Sequence, residues 1–219
     1  MSPGLFAAAP DADEIVRRHL EAIGGARWEK VQSLLVKGSG PVGSFVWVWK
    51  RPGKFRSEER DDTYSGKTLV TAFDGTTAWI ADPFKGPATP RRMKPDEQQR
   101  WQNGFVILSD LLDLPSTGVS VQLLGQEPVN QRPAWKLSLN RPGREEVTLW
   151  IDAETYYLVQ RARVLTAPWG EDRNVVQVLS DYRKVDGVVV AHAVGPTHCV
   201  VAVNAEIADS MFRPSEPLE

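Results

Sequence analysis

The sequence predicts a mainly β, α+β protein: a strongly curved antiparallel sheet of about eleven strands forming an incomplete barrel, its concave side covered by two or three helices. Three observations point there. From residue 31 onward the chain is a succession of short alternating or β-branched runs. Turn signals separate them, among them Pro52-Gly53, Asp74-Gly75, Pro142-Gly143 and Asp186-Gly187. A twisted sheet of roughly ten or more strands cannot stay flat and curls towards a barrel.

The first element is a helix. Asp11 or Asp13 can cap it, Ile15, Val16, Leu20 and Ile23 follow the 3.6-residue period, and Gly24-Gly25 ends it. Strands are expected at 31–38, 43–50, 54–60, 67–73, 76–81, 119–127, 132–140, 144–152, 157–166, 172–184 and 188–209, the last long enough to be two. Between the fifth and sixth lies a different texture. Residues 81–93, with Pro83, Pro87 and Pro90, read as an ordered loop or a mobile lid. Residues 95–114 open on Pro95, Asp96 and Glu97 in a helix-start arrangement, and Phe105, Leu108, Leu111 and Leu112 form one apolar stripe. In the strand SFVWVWK, alternation sets Phe45, Trp47 and Trp49 on one face and Val46 and Val48 on the other.

With 219 residues, 42% hydrophobic, 25% charged and a net charge of −2, the chain has the composition of a soluble globular protein. It carries no basic footprint for nucleic acid and no acidic tail. A single cysteine, Cys199, excludes an internal disulfide and leaves the redox compartment open. No apolar run reaches the ~18 residues of a spanning helix. Organisation is read as a leader at 1–10, either a signal-peptide remnant or a flexible Ala/Pro segment, one domain over 11–213, and a tail at 214–219 whose Leu218-Glu219 has the character of a vector scar.

Chemical motifs are weak. GSGPVG at 38–43 matches a dinucleotide fingerprint, but it runs directly into a strand rather than a helix, so it reads as a Gly-rich hairpin. His192, His198 and Cys199 suggest a metal cluster, yet neighbours on a strand point to opposite faces, so no metal is expected. The carboxylate pairs Glu58-Glu59, Asp61-Asp62 and Glu145-Glu146 diverge for the same reason, and no nucleophile motif is present. What stands out is eight tryptophans. Spread over separate strands of a sheet with few covering helices, they suit an apolar cavity for an acyl chain, against the plainer reading of core packing. The basic stretch KRPGKFR at 50–56 and Arg91-Arg92 read as solvated turns, or as partners of anionic headgroups at a cavity mouth.

The ordered motifs DEIVRRHLEAIGGARWEKVQSLLVKG, KRPGKFR, AFDGTTAWIADPFKG, LLGQEPVNQRPAWKLSL, LWIDAETYYLVQRARV and LSDYRKVDGVVVAHAV, spanning roughly 11–213, resemble the LolA-like outer-membrane lipoprotein-sorting proteins. The chain looks like a broader branch rather than the dedicated carrier, so that carrier's ligand-gating arginine is not transferred to any position here. The resemblance implies a half-barrel, residence in the periplasm or cell envelope, no cofactor, and an apolar cavity. Its lining is expected to include Phe45, Trp47, Trp49, Trp79 and Phe84, with Phe105, Leu108, Leu111 and Leu112 contributed by a covering helix at 104–113. The function it implies is non-enzymatic binding and carriage of a lipid or lipoprotein acyl chain by a monomer, with a membrane or envelope protein as acceptor. Two alternatives stay open: an envelope sensor that binds lipid or peptide and a protein partner, and a small-molecule enzyme for which His192, Tyr157 and Arg161 are the nameable candidates. RSEERDDTYSGK, at 56–67, is polar for a cavity wall.

Overall fold

The structure is a computed structural model that describes residues 10–63, 65–95, 97–98, 109–112, 118–142, 146–166 and 172–218; the side chains of 165, 166, 172 and 173 are left aside. Among the described residues, thirteen strands form one open antiparallel sheet. They are β1 (Ser33–Gly40), β2 (Gly43–Lys50), β3 (Lys54–Asp61), β4 (Thr68–Phe73), β5 (Ala78–Ala81), β6 (Arg91–Arg92), β7 (Ser120–Val129), β8 (Arg132–Asn140), β9 (Val147–Asp152), β10 (Leu158–Thr166), β11 (Asp172–Val185), β12 (Val188–Val194) and β13 (Thr197–Val203). Their order is β6-β5-β4-β3-β2-β1-β13-β12-β11-β10-β9-β8-β7. The expected count of eleven is corrected to thirteen for two reasons. The run 188–209 turns back at Gly195-Pro196 to give two strands, and the Pro-rich loop contributes the two-residue β6, paired through Arg92 to Trp79.

Among the described residues are one complete α-helix, α1 (Ala12–Ala22), further α-helical residues at 95, 97 and 98, and two 3₁₀ helices, Gly25–Lys30 and Asp209–Phe212. Asp11 caps α1 by accepting the Glu14 N–H at 2.9 Å, and Gly24 and Gly25 end it with φ of 129° and 57°, the region that favours glycine. The helix expected over 95–114 lies largely outside the described residues. At its start Pro95, Glu97 and Gln98 are helical, with the Gln98 N–H donating to the Lys94 carbonyl at 2.9 Å. At its far end 110–112 form a turn, closed from Leu112 N–H to the Ser109 carbonyl at 3.1 Å. No described helix is long and apolar enough to cross a membrane.

Two compact units divide the chain, Met1–Ile23 with Ser109–Gln177, and Gly24–Leu108 with Val178–Glu219. In the first, Leu137, Leu139, Leu149, Ile151 and Leu158 are buried to 1% exposure or less. Ile15 and His19, one turn apart on α1, are buried as well. Arg161 and Arg163 are buried with them, which strict alternation from Leu158 does not give for Arg161. The reason is a bulge in β10 between Leu158 and Gln160: Leu158 pairs with Ile151 and Arg161 with Leu149, so the arginine joins the leucine's face. Asp110 answers it, with Arg161 Nη1 at 2.8 Å and Arg141 Nη2 at 3.5 Å. The Arg161 Nε also donates to Gln177 Oε1 at 3.0 Å. Burial holds Arg163 down to about 10, with neighbouring Arg161 in the same direction and Asp110 opposing.

In the second unit the segment after β13 crosses one face of β2–β5. Ile207 and Phe212 pack on Val48, and Leu218 packs on Ala72, Trp79 and Ala81. Polar groups fasten it. Lys50 donates to the Ile207 carbonyl and, with Lys54, pairs with Asp209 at 2.7 Å, while Arg56 donates to the Met211 carbonyl at 3.0 Å. These two lysines hold the Asp209 carboxyl down at about 2. Much of the basic stretch 50–56 is thus a clasp for the chain's own C-terminal segment rather than a set of free turn charges.

Candidate functional site

Pairing register decides which residues share a face. Trp49 stands opposite Leu34 on β1 and Phe55 on β3, Trp47 opposite Val36 and Ser57, and Phe45 opposite Gly38 and Glu59. The rows continue outward: Leu34 meets Val203, Val36 meets Val201 and Gly38 meets Cys199, while Phe55 meets Phe73 and Ser57 meets Thr71, itself opposite Ile80. Directly opposed residues lie on the same side of a sheet. A surface of six strands, β13-β1-β2-β3-β4-β5, therefore carries these rows, apolar except at Ser57, Glu59 and Thr71.

The aromatic residues on it are half-buried, whereas Leu34 and Val36 beside them are 1% exposed. Phe45 and Trp47 stack with ring centroids 4.1 Å apart, and the Arg51 guanidinium lies 5.2 Å from the Trp49 ring centre. The glycine motif at 38–43 makes this packing fit. A Cβ on Gly38 would come within 2.3 Å of Phe45 Cζ, and one on Gly43, at φ 155°, within 2.0 Å of the Arg60 carbonyl oxygen. These glycines serve a hairpin, as expected.

The other expected site residues are distributed elsewhere. Trp79 is opposite Ala72, Ala72 opposite Arg56, and Arg56 opposite Val48, which places Trp79 on the face away from Trp47. It is 2% exposed and donates its indole N–H to the Phe212 carbonyl at 2.8 Å. Phe84 sits in the loop after β5, 52% exposed, with the Lys67 ammonium 5.9 Å from its ring centre. Leu111, 2% exposed, and half-buried Leu112 belong to the first unit, and Phe105 and Leu108 lie outside the described residues. Phe45, Trp47 and Trp49 are thus brought together as one row.

A second feature was not anticipated. On the Trp79 face a groove of about 440 Å³ opens between β3–β5, the Ala88–Pro90 stretch and residues 210–215. Its signal in the sequence is absent, because the wall formed by Met211, Arg213 and Pro214 is remote in the chain from β3.

The candidates named for chemistry divide between the two units. His192 donates from Nδ1 to the Cys199 carbonyl at 3.0 Å within the second unit. Cys199 is buried and its thiol pushed up by burial, and His198 is exposed, so the two do point apart. Arg161 is held by Asp110 and Gln177 in the first unit, where Tyr157 is half-buried. Among the described residues no group of three or more His, Cys, Asp or Glu is placed to hold a metal ion.

No protein-family model and no curated protein matches the chain. Solved structures do. A DUF1329 family protein from Desulfovibrio piger is 13% identical over 94% of this chain and 98% of its own, with a TM-score of 0.54. A LolA superfamily protein from Nitrosomonas europaea is 11% identical over 94% and 98%, at 0.49. MucB in complex with MucA(peri) is 14% identical over 94% of this chain and 60% of its own, at 0.30. The first likeness shows the fold alone, a large antiparallel sheet of the kind the LolA-like resemblance implies. The other two add no weight to it.

Proposed function

We propose that the protein is a non-enzymatic binder and carrier of acyl chains in the bacterial cell envelope, taking a lipid or lipoprotein acyl group on the Phe45, Trp47, Trp49 face and releasing it to a membrane or a protein acceptor. The observation that carries this reading is the set of rows running from β13 to β5, with half-buried aromatics in the middle of the sheet rather than at its rim. Hydrocarbon needs no directional partners, and such a surface supplies few. At ~0.8 kcal/mol per buried methylene, a sixteen-carbon chain contributes on the order of 10 kcal/mol before association costs, enough for carriage without a cofactor.

Native mass spectrometry of the freshly purified protein, followed by solvent extraction, is the first measurement; a stoichiometric acyl lipid is expected. Trp47→Asp places a carboxylate in the aromatic row and should weaken binding of a pyrene-labelled diacyl phosphatidylethanolamine by at least about tenfold, with circular dichroism unchanged. Equal binding by wild type and variant would overturn the assignment of this face. Leu111 is no substitute in such a test, since at 2% exposure an aspartate there reads stability rather than binding.

A further inference from the structure

We propose that the aromatic face selects amphiphiles whose head is an ammonium group, and that Glu59 receives that head. The inference rests on the acyl-carrying reading and names the class of ligand the face takes.

Register supplies the placement. Glu59 on β3 stands directly opposite Phe45 on β2, so the two share a face, with Cβ atoms about 5 Å apart. Phe45 and Trp47 stack with ring centroids 4.1 Å apart. Ser57, opposite Trp47 and 3% exposed, donates its hydroxyl to Glu59 Oε1 at 2.8 Å. A buried serine thus sets an exposed carboxylate beside two half-buried rings. Such a pairing suits an organic cation: the carboxylate accepts a charge-assisted hydrogen bond, and a ring face attracts the cation through its quadrupole. The row already holds one cation in this way, the Arg51 guanidinium 5.2 Å from the Trp49 ring centre.

Charge fixes the sign of the ligand and its direction. The carboxylates on either side of Glu59 in this hairpin are matched, Glu58 by Arg56 at 2.7 Å and Asp62 by Arg60 at 2.6 Å. Among the described residues no arginine, lysine or histidine lies within ion-pair distance of the Glu59 carboxylate. At the far end of the row the charge is Arg51, which repels an ammonium and is itself engaged, donating to the carbonyls of Val31 and Trp28. The two ends therefore differ in sign. A ligand with one positive head lies along β2 in one direction, its head at Glu59 and its chain over Phe45, Trp47 and Trp49, a run of about 14 Å for four residues of extended strand. A fatty-acid carboxylate meets a like charge at the Glu59 end.

The test is titration calorimetry at low ionic strength with decylammonium and neutral decanol, equal in chain length and below their aggregation concentrations. Both should bind, decylammonium about threefold to tenfold more tightly, and added salt should shrink the difference. Glu59→Gln, at an exposed position, should abolish the preference and leave decanol binding unchanged. Glu59→Lys should reverse it, so that decanoate binds better than decylammonium. A wild type that binds decylammonium no better than decanol, or a Glu59→Gln variant that keeps the preference, overturns the head assignment and leaves acyl carriage standing. Binding of neither ligand overturns both. Displacement of bound decylammonium by lysophosphatidylethanolamine assigns the head to an ethanolamine phospholipid, and no displacement assigns it to a single-chain amine; the ammonium chemistry is supported in either case.

Discussion

Phe212→Ala is expected to lower stability by about 3–5 kcal/mol, the range for emptying a fully buried aromatic site. Phe212 has no exposure and packs with Val48 and Ile207, with Leu35, Val46 and Ala205 around them. The residue does more than fill space. Its carbonyl is the acceptor for the Trp79 indole N–H, so a shift of the segment leaves a buried donor without its partner, at a further cost of order 1–3 kcal/mol. The surface pairs of Lys50 and Lys54 with Asp209 do not compensate, because exposed ion pairs contribute little. Urea denaturation should show a midpoint lower by roughly 1–2 M. Met211→Ala, one residue away and 38% exposed, is the control and should stay within about 0.5 kcal/mol of wild type. If the two variants unfold alike, Phe212 is not the anchor of the C-terminal segment.

That anchor was not legible in the sequence, and the reason separates what could be read from what could not. Strand positions follow from alternation and turn residues, which are local. Hence β2 and β8 were expected at the residues they occupy, and Phe45, Trp47 and Trp49 were expected on one face. Register is not local. Trp79 looked like a fourth member of the aromatic row, but its side is set by the offsets accumulated through β4 and β3, and these put it opposite Ala72 and in line with Val48. The bulge in β10 is a similar case. Counting by twos from Leu158 sends Arg161 outward, and one extra residue brings it inside. Burial of an arginine then has to be matched, and the match, Asp110, lies 51 positions earlier in the chain. Neither partner signals the other.

His19 illustrates a signal present but easily passed over. It is four residues from both Ile15 and Ile23, on the buried stripe of α1, and it carries the second large prediction. Its Nδ1 lies 2.7 Å from the Tyr156 carbonyl, and a carbonyl only accepts, so Nδ1 carries the hydrogen. Nε2, 2.7 Å from Ser109 Oγ, then accepts the serine hydroxyl, and the neutral ring is satisfied on both sides. Burial lowers its pKa from 6.5 to about 4, the Tyr156 hydrogen bond opposing in part. The folded-state value is therefore depressed below the unfolded one, and a proton binds the unfolded chain more readily. His19's contribution is fully present above about pH 6.5 and falls by ~1.4 kcal/mol per unit as pH drops toward 4, about 3 kcal/mol in all. The carboxyls of Glu97 and Asp152, both held at about 2, lose their own contributions only below the ordinary carboxylate range, so pH 6.5 to 4.5 isolates the histidine. Denaturant titrations across that window should show wild type losing about 2–3 kcal/mol while His19→Gln, less stable at pH 7.5, stays nearly level. Parallel slopes in the two proteins would mean that another group titrates, and that the link from α1 to the 109–112 turn is not proton-sensitive.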